Sequence, residues 1–180
     1  MYWILYPVSG FLMKTADDSE DVSGKRLQGL MAGGLCGLSV GVLALNDPDA
    51  ASLFLGIFMG TLLSLKIDCP SHILAAMVFI SVIVAGGLPG LWLPGFAVCT
   101  AAAYIDEYGN DNPRIYSRGS FFRIFFGYRF SLKIAVAILA LLSLGGMAAG
   151  TGFRPETFIF FLLFEAAYEL AGRISIHKGS

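Results

Sequence analysis

Charged side chains are scarce in this sequence. Of its 180 residues, 14% are Asp, Glu, Lys or Arg, whereas roughly 25% is usual for a soluble globular domain. Hydrophobic residues make up 56%, and the mean hydropathy is +0.72. Apolar runs long enough to cross a bilayer are typical of transmembrane helices. The composition therefore predicts an all-α, polytopic integral membrane helical bundle.

Several other features are missing, and each absence excludes a class of protein. The 12 Lys and Arg residues are balanced by 13 Asp and Glu residues, so no positive field recruits nucleic acid. Three cysteines without a CxxC spacing do not form a disulfide framework. The HExxH and phosphate-loop motifs do not occur. The N-terminus lacks the basic region and cleavage site of a signal peptide.

Apolar segments occupy most of the chain. We count seven, at residues 1–14, 27–45, 50–66, 71–87, 90–105, 131–149 and 155–174. Several have only about 16 apolar residues, which is short for a bilayer core of about 30 Å. The GGLPG cluster between the fourth and fifth segments fits a tight turn, although residues 71–105 could also be one kinked helix. The sequence predicts a single transmembrane domain, residues 1–180, with about seven helices.

Basic residues alternate between the connections. They follow the first, third, fifth and last segments, and the other connections contain one base among them. Because positively charged loops stay in the cytoplasm, we expect a multi-pass protein of the cell membrane with its N-terminus outside and its C-terminus cytoplasmic. Residues 118–130, which combine arginines with aromatics, favour an interfacial helix or an extension of the sixth segment.

Glycines recur at four-residue spacing in two segments. They are Gly29, Gly33, Gly37 and Gly41 in the second segment, and Gly56 and Gly60 in the third. Small residues at this spacing let helices approach closely in lipid. We expect these faces to join helices, either within the chain or between two copies in a homo-oligomer.

Carboxylates concentrate at the helix ends on the predicted cytoplasmic side. They lie in three stretches, ADDSED at 16–21, KIDCPSH at 66–72 and IDEYGND at 105–111. Mg²⁺ prefers oxygen ligands and often binds carboxylates together with substrate phosphates. We therefore expect a site for Mg²⁺ or another divalent cation, with the candidate ligands Asp17, Asp18, Asp21, Asp68, Asp106 and Glu107. The alternative for the first stretch is a solvated acidic loop with local ion pairs.

Other ionisable residues complete the candidate site. The candidate phosphate-binding residues are Lys25, Arg26 and Arg114. The candidate catalytic residues are Asp18, Asp106 and Glu165. Glu165 lies within the last apolar segment, where an ionisable group normally faces the bundle interior, and it is expected to pair with Lys133 or with another helix. Weaker candidates are His72, Glu169 and Asp111. For Asp68, helix capping is the alternative role.

The chain also contains a hint of internal duplication. Trp3 precedes the Asp17–Asp18 pair by the same spacing as Trp92 precedes the Asp106–Glu107 pair, at an offset of 89 residues. Half-repeats 1–88 and 89–180 would present two matching acidic helix ends. Duplicated bundles commonly place their site between the two halves.

A DDxxD motif is formed by Asp17, Asp18 and Asp21, and a second acidic motif follows four helices later. This pair of motifs resembles those of the membrane-embedded polyprenyltransferases. The likeness covers residues 14–26 and 105–111. Those enzymes bind an isoprenyl diphosphate through Mg²⁺ held by two aspartate-rich motifs. The resemblance implies a metal-dependent transferase or hydrolase that acts on a lipid phosphate or prenyl diphosphate at the cytoplasmic face.

Two other functions fit the same residues. A transporter or channel for metal ions or protons would use the acidic helix ends as a cytoplasmic vestibule, with Glu165 as the relay inside the membrane. A non-catalytic membrane structural protein would use the acids for solubility alone.

Overall fold

The computed structural model describes residues 2–21, 24–87, 90–144 and 153–178. Every regular element within these ranges is a helix, which confirms the all-α fold. The helices are α1 (Leu5–Asp21), α2 (Arg26–Asn46), α3 (Pro48–Leu63), α4 (Pro70–Gly86), α5 (Leu93–Asp111), α6 (Pro113–Tyr116), α7 (Ser120–Gly127), α8 (Phe130–Leu144) and α9 (Pro155–Lys178).

Proline marks the start of several helices. Pro48 and Pro70 are the first residues of α3 and α4, where the missing N–H is harmless because the first amides of a helix have no partner inside it. Asp47 caps α3 by accepting a hydrogen bond from the Asp49 amide at 3.0 Å. Cys69 occupies the N-cap position of α4 in an extended conformation, without a capping bond from its side chain.

The helices follow the predicted segments with three differences. The first helix continues through the acidic stretch to Asp21, so ADDSED is helical and is not a loop. Residues 71–105 belong to two helices, α4 and α5, rather than to one kinked helix. Helix α7 is bent by 61° from α8 and is therefore not a straight extension of the sixth segment. Residues 145–149 of that segment lie outside the described residues.

Few helices meet the length and hydropathy of a membrane span. Helix α2, with 21 residues, is long and apolar enough, and α7 with α8 is a second candidate if the bent pair counts as one span. Helices α3 and α4 are apolar but shorter, with 16 and 17 residues. Half of the α2 window is buried in the protein, as in the core helix of a soluble protein. By these criteria the described residues do not support the predicted seven spans.

The helix contacts centre on α1 and α5. Helix α1 contacts α2 and α9, and helix α5 contacts α3 and α8. Helix α4 packs on α2, and α8 contacts α9. Aromatic rings fill the space between α1, α3 and α9, where Tyr6 lies 5.5 Å from Phe54 and Phe54 lies 5.6 Å from Phe164, measured between ring centroids. These side chains are almost fully buried, so α1 is held in the core by the last helix of the chain.

The glycine faces bring neighbouring backbones into contact. A β-carbon on Gly33 would lie 2.5 Å from the carbonyl oxygen of Ser71, and one on Gly37 would lie 2.3 Å from that of Ala75. Gly56 and Gly60 approach α5 in the same way. Each of these glycines is therefore covered by a helix of the same chain.

Replacing Gly37 by Ala should destabilise the fold, because the added methyl group must push α4 away from α2. Overpacking of this kind costs about 1–3 kcal/mol. The control is Gly34→Ala on the same helix, whose added methyl group would meet only Leu74, at 3.6 Å, and should be neutral or stabilising because Ala is the better helix former. Thermal unfolding of both variants checks this, and equal melting temperatures would contradict the close packing described here.

Candidate functional site

A cavity of about 510 Å³ lies at the end of the bundle where α1 and α3 finish and α4 begins. One part of its wall is apolar and includes Val40, Phe54, Ile57, Phe58 and Phe79. The other part carries polar side chains from six parts of the fold, namely Lys14, Asp17, Lys66, Asp68, His72, Glu107, Asn110, Arg129 and Tyr168. The cavity therefore combines an apolar compartment with a charged end.

His72 and Asp17 form the central pair of the charged end. The Nε2 atom of His72 lies 2.5 Å from Oδ1 of Asp17, and the hydroxyl of Tyr168 donates a hydrogen bond to Oδ2 at 2.9 Å. The Nδ1 atom of His72 lies 3.1 Å from the carbonyl oxygen of Lys66. Because both ring nitrogens face acceptors, the geometry favours an imidazolium. The pair joins α1, α4 and α9 in one hydrogen-bonded chain.

The remaining cations of the charged end are also paired with carboxylates. Lys14 lies 2.9 Å from Asp18. The guanidinium of Arg129 lies 3.4 Å from Oε1 of Glu107 and 4.9 Å from the ring centroid of Tyr168. Tyr168 therefore makes two polar contacts: its hydroxyl binds the Asp17 carboxylate and its ring face lies against the Arg129 guanidinium.

Lys66 completes this set from the connection between α3 and α4. Its ammonium lies 2.6 Å from Asp111. Partial burial lowers the pKa of Lys66, but the neighbouring Asp111, Glu107 and Asp68 raise it more, so the net shift is upward. The side chain therefore stays charged at neutral pH.

Asp106 has a structural role in α8. Its two oxygens accept hydrogen bonds from the backbone amides of Ser131 and Leu132, at 3.0 and 2.8 Å, and the residue is only 1% exposed. These amides belong to the first turn of α8, which otherwise has no partner for them. Asp106 also borders a second cavity of about 420 Å³, whose lining shares Lys14, Glu107, Asn110, Arg129 and Tyr168 with the first.

Glu165 is buried between α8 and α9. Its Oε2 atom lies 2.6 Å from the ammonium of Lys133, which is the partner that the sequence suggested. Its Oε1 atom is buried and has no hydrogen-bond partner among the described residues. Such an oxygen is costly, so Glu165 is a candidate for a role beyond packing.

The predicted site residues are only partly brought together. Three of the expected metal ligands line the first cavity, namely Asp17, Asp68 and Glu107. Asp18 and Asp111 pair with cations of that cavity, and Glu169 lines the second. The side chain of Asp21 lies outside the described part of the structure. Lys25, Arg26 and Arg114 are exposed and line neither of these cavities. The metal-binding, phosphate-binding and catalytic roles stay predictions.

The sequence reasoning missed three residues of the charged end, Lys66, Arg129 and Tyr168. These residues reach the cavity through tertiary packing, for which the sequence holds no clear signal.

One further group of side chains lies on the rim of the cavity. Asp68, Cys69 and His72 each offer one ligand atom, and these atoms lie within 4.8 Å of one another. Burial raises the pKa of the Cys69 thiol.

Comparisons of the chain with protein-family models, curated proteins and solved structures found no match.

Replacing Asp106 by Ala should destabilise the protein by about 1–3 kcal/mol, because two backbone amides lose a buried partner. The control is Asp111→Ala, which removes a solvent-exposed ion pair with Lys66 and should cost less than about 1 kcal/mol. Chemical denaturation of the two variants measures the difference. Equal stability of Asp106→Ala and the wild type would show that Asp106 is not needed to cap α8.

Proposed function

We propose that the protein is a membrane-embedded, divalent-metal-dependent enzyme that acts on a lipid phosphate or prenyl diphosphate at the cytoplasmic face. This is the function implied by the likeness of its first acidic motif to the polyprenyltransferases. The observation that carries the proposal is the two-part cavity, whose apolar wall suits a hydrocarbon tail and whose charged end suits a phosphate head.

The cavity as a whole has the size and lining of a ligand site. Its volume of about 510 Å³ falls within the range of about 300–1,000 Å³ that small-molecule pockets have. Phe54, Phe58 and Phe79 give it aromatic walls, and the polar groups gather at one end only. A molecule with one long apolar part and one charged head matches this division.

The ion pairs of the charged end support joint binding of a cation and a phosphate. Lys14, Lys66, Arg129 and His72 each share their charge with a carboxylate. A divalent cation takes carboxylate ligands, and this releases the cationic partners to hold phosphate oxygens. A divalent cation and a phosphate group can therefore bind together. The cation pairs with the carboxylates and the phosphate pairs with the released cationic side chains, so that no charge is left without a partner.

The outward faces of the helices support residence in a membrane. Large apolar side chains are exposed at positions three or four apart along α2, α4, α8 and α9, including Leu27, Met31, Leu35, Ile73, Met77, Val84, Ile134, Ile138, Leu141, Ile159 and Leu162. Soluble monomers rarely expose apolar patches larger than a few hundred Å². On this basis the proposal includes lipid contact by the shorter helices as well as by α2.

We also propose that the chain arose by duplication, with α1, α2 and α3 matching α5, α8 and α9. Under this match the contact of α3 with α5 corresponds to the contact of α9 with α1. Helix α3 begins at Pro48 and helix α9 begins at Pro155. Thr61 follows Pro48 by the same number of residues as Tyr168 follows Pro155, and both side chains line the same cavity. Helix α4 has no counterpart in this scheme, and it supplies His72.

Filling the apolar compartment should block binding of the tail. Ala76 lines the cavity, whereas Met77 beside it is 62% exposed on the outer face of α4. We expect Ala76→Phe to weaken binding of farnesyl diphosphate at least about tenfold, a loss of about 1.4 kcal/mol, and Met77→Phe to leave it unchanged. Calorimetry on protein in lipid nanodiscs with Mg²⁺ measures this.

The same measurement includes two fragments of the probe. Farnesol lacks the charged head and inorganic diphosphate lacks the tail, so each should bind more weakly than farnesyl diphosphate. If inorganic diphosphate bound as tightly as farnesyl diphosphate, or if the two phenylalanine variants behaved alike, the cavity would not be the lipid site.

Transport of cations is the second candidate function, and the unpartnered oxygen of Glu165 favours it. Under this function Glu165→Gln should abolish uptake of protons or Mg²⁺ into vesicles that contain the protein, because the amide cannot carry a proton between Lys133 and the interior. The control is Glu156→Gln, at the exposed start of the same helix. Flux that is absent from wild-type vesicles, or unchanged in Glu165→Gln, would leave the enzyme as the better assignment.

A further inference from the structure

The connection between α3 and α4 holds three different metal-binding side chains in a rigid local frame. Pro70 starts α4, so the residue before it is restricted to extended backbone, and Cys69 has φ −109° and ψ 156°. Asp68 and Cys69 therefore stand just outside the helix, while His72 lies in its first turn. Their ligand atoms lie within 4.8 Å of one another, and Nδ1 of His72 lies 3.8 Å from Oδ1 of Asp68.

These distances are close to those of a bound metal. Ligands at about 2.0–2.3 Å from a tetrahedral Zn²⁺ ion are about 3.3–3.7 Å from one another. Small rotations of three side chains would reach this geometry. The Sγ atom of Cys69 now lies 3.3 Å from the Ser71 hydroxyl and also contacts the Glu20 carboxylate, and Nδ1 of His72 faces the Lys66 carbonyl at 3.1 Å. The thiol and the imidazole would exchange these contacts for the metal.

The other nitrogen of His72 is already held as in a metal site. A histidine that binds a metal usually donates its second ring N–H to a carboxylate, which fixes the tautomer and turns the ring. Asp17 is that carboxylate here, because its Oδ1 atom lies 2.5 Å from Nε2 of His72. Asp17 also accepts a hydrogen bond from the hydroxyl of Tyr168. The lone pair of Nδ1 is then directed to the same side as Cys69 and Asp68.

We propose that Asp68, Cys69 and His72 bind a Zn²⁺-type transition metal whose fourth coordination position opens into the cavity. Thiolate and imidazole ligands select such metals, whereas Mg²⁺ prefers oxygen ligands alone. All three residues line the cavity, and three protein ligands with an open position are the arrangement of catalytic zinc sites. Metal binding replaces the protons on the Cys69 thiol and on Nδ1 of His72, and both protons pass to solvent.

This site would place a metal at the charged end while Asp17 keeps its hydrogen bonds to His72 and Tyr168. The fourth position would hold a phosphate oxygen or a water molecule beside Lys66, and this part of the inference rests on the proposed function. Metal binding itself does not require a lipid phosphate, so the two can be tested separately.

Titration of the purified full-length protein with Co²⁺ tests the site, because a cobalt–thiolate bond produces a charge-transfer absorption band. The wild type should show this band, Zn²⁺ should remove it, and excess Mg²⁺ should not. Cys69→Ser should lose the band, whereas Cys99→Ser, which changes a buried thiol of α5 outside the cavity lining, should keep it. Asp17→Asn should weaken Co²⁺ binding roughly 10–100-fold, as loss of a supporting carboxylate does.

The assignment is overturned if the wild type shows no band, if Cys69→Ser retains it, or if Mg²⁺ displaces Co²⁺. His72→Ala, read on the same band, is the second variant in case Cys69→Ser does not fold. Farnesyl diphosphate binding is measured on the same samples. Co²⁺ binding without farnesyl diphosphate binding would support this metal site and contradict the proposed function, and the reverse result would contradict the metal site alone.

Discussion

The contact between α2 and α4 determines where the charged end of the cavity can form. With no side chains at Gly33 and Gly37, the backbone of α4 lies directly against α2 at Ser71 and Ala75. His72 follows Ser71, so the same contact sets the distance between its ring and Asp17 on α1. A wider separation of the helices would break the ion pair between these two partly buried groups, and the loss of such a pair is destabilising.

Compensation of charge is the second constraint on this region. The cations of the charged end lie in a partly buried space, and each is matched by a carboxylate on α1 or α5. Such pairs contribute little net stability, because desolvation offsets much of their attraction. Their arrangement instead keeps the charge of this partly buried space balanced.

Local features were predictable from the sequence, and distant partnerships were not. The positions of the helices followed from apolar runs, because that signal acts within one helix. Asp106 could not be distinguished from a metal ligand, since the amides that it caps are 25 and 26 residues further along the chain. The place of Arg129 depends on the turn between α7 and α8. Hydropathy identified apolar runs, but it did not show that many of their side chains would face other helices.

The neighbouring positions of α1 and α9 have a consequence for how the protein is made. The ribosome completes α9 later than every other described helix, yet α9 supplies the ring that packs on Phe54 and the hydroxyl that binds Asp17. Until then, the face of α1 that includes Gly10, which lies against the backbone of Phe164 in the finished fold, has no permanent partner. This part of the bundle can therefore assemble only after α9 has been made, and until then that face of the nascent α1 stays uncovered.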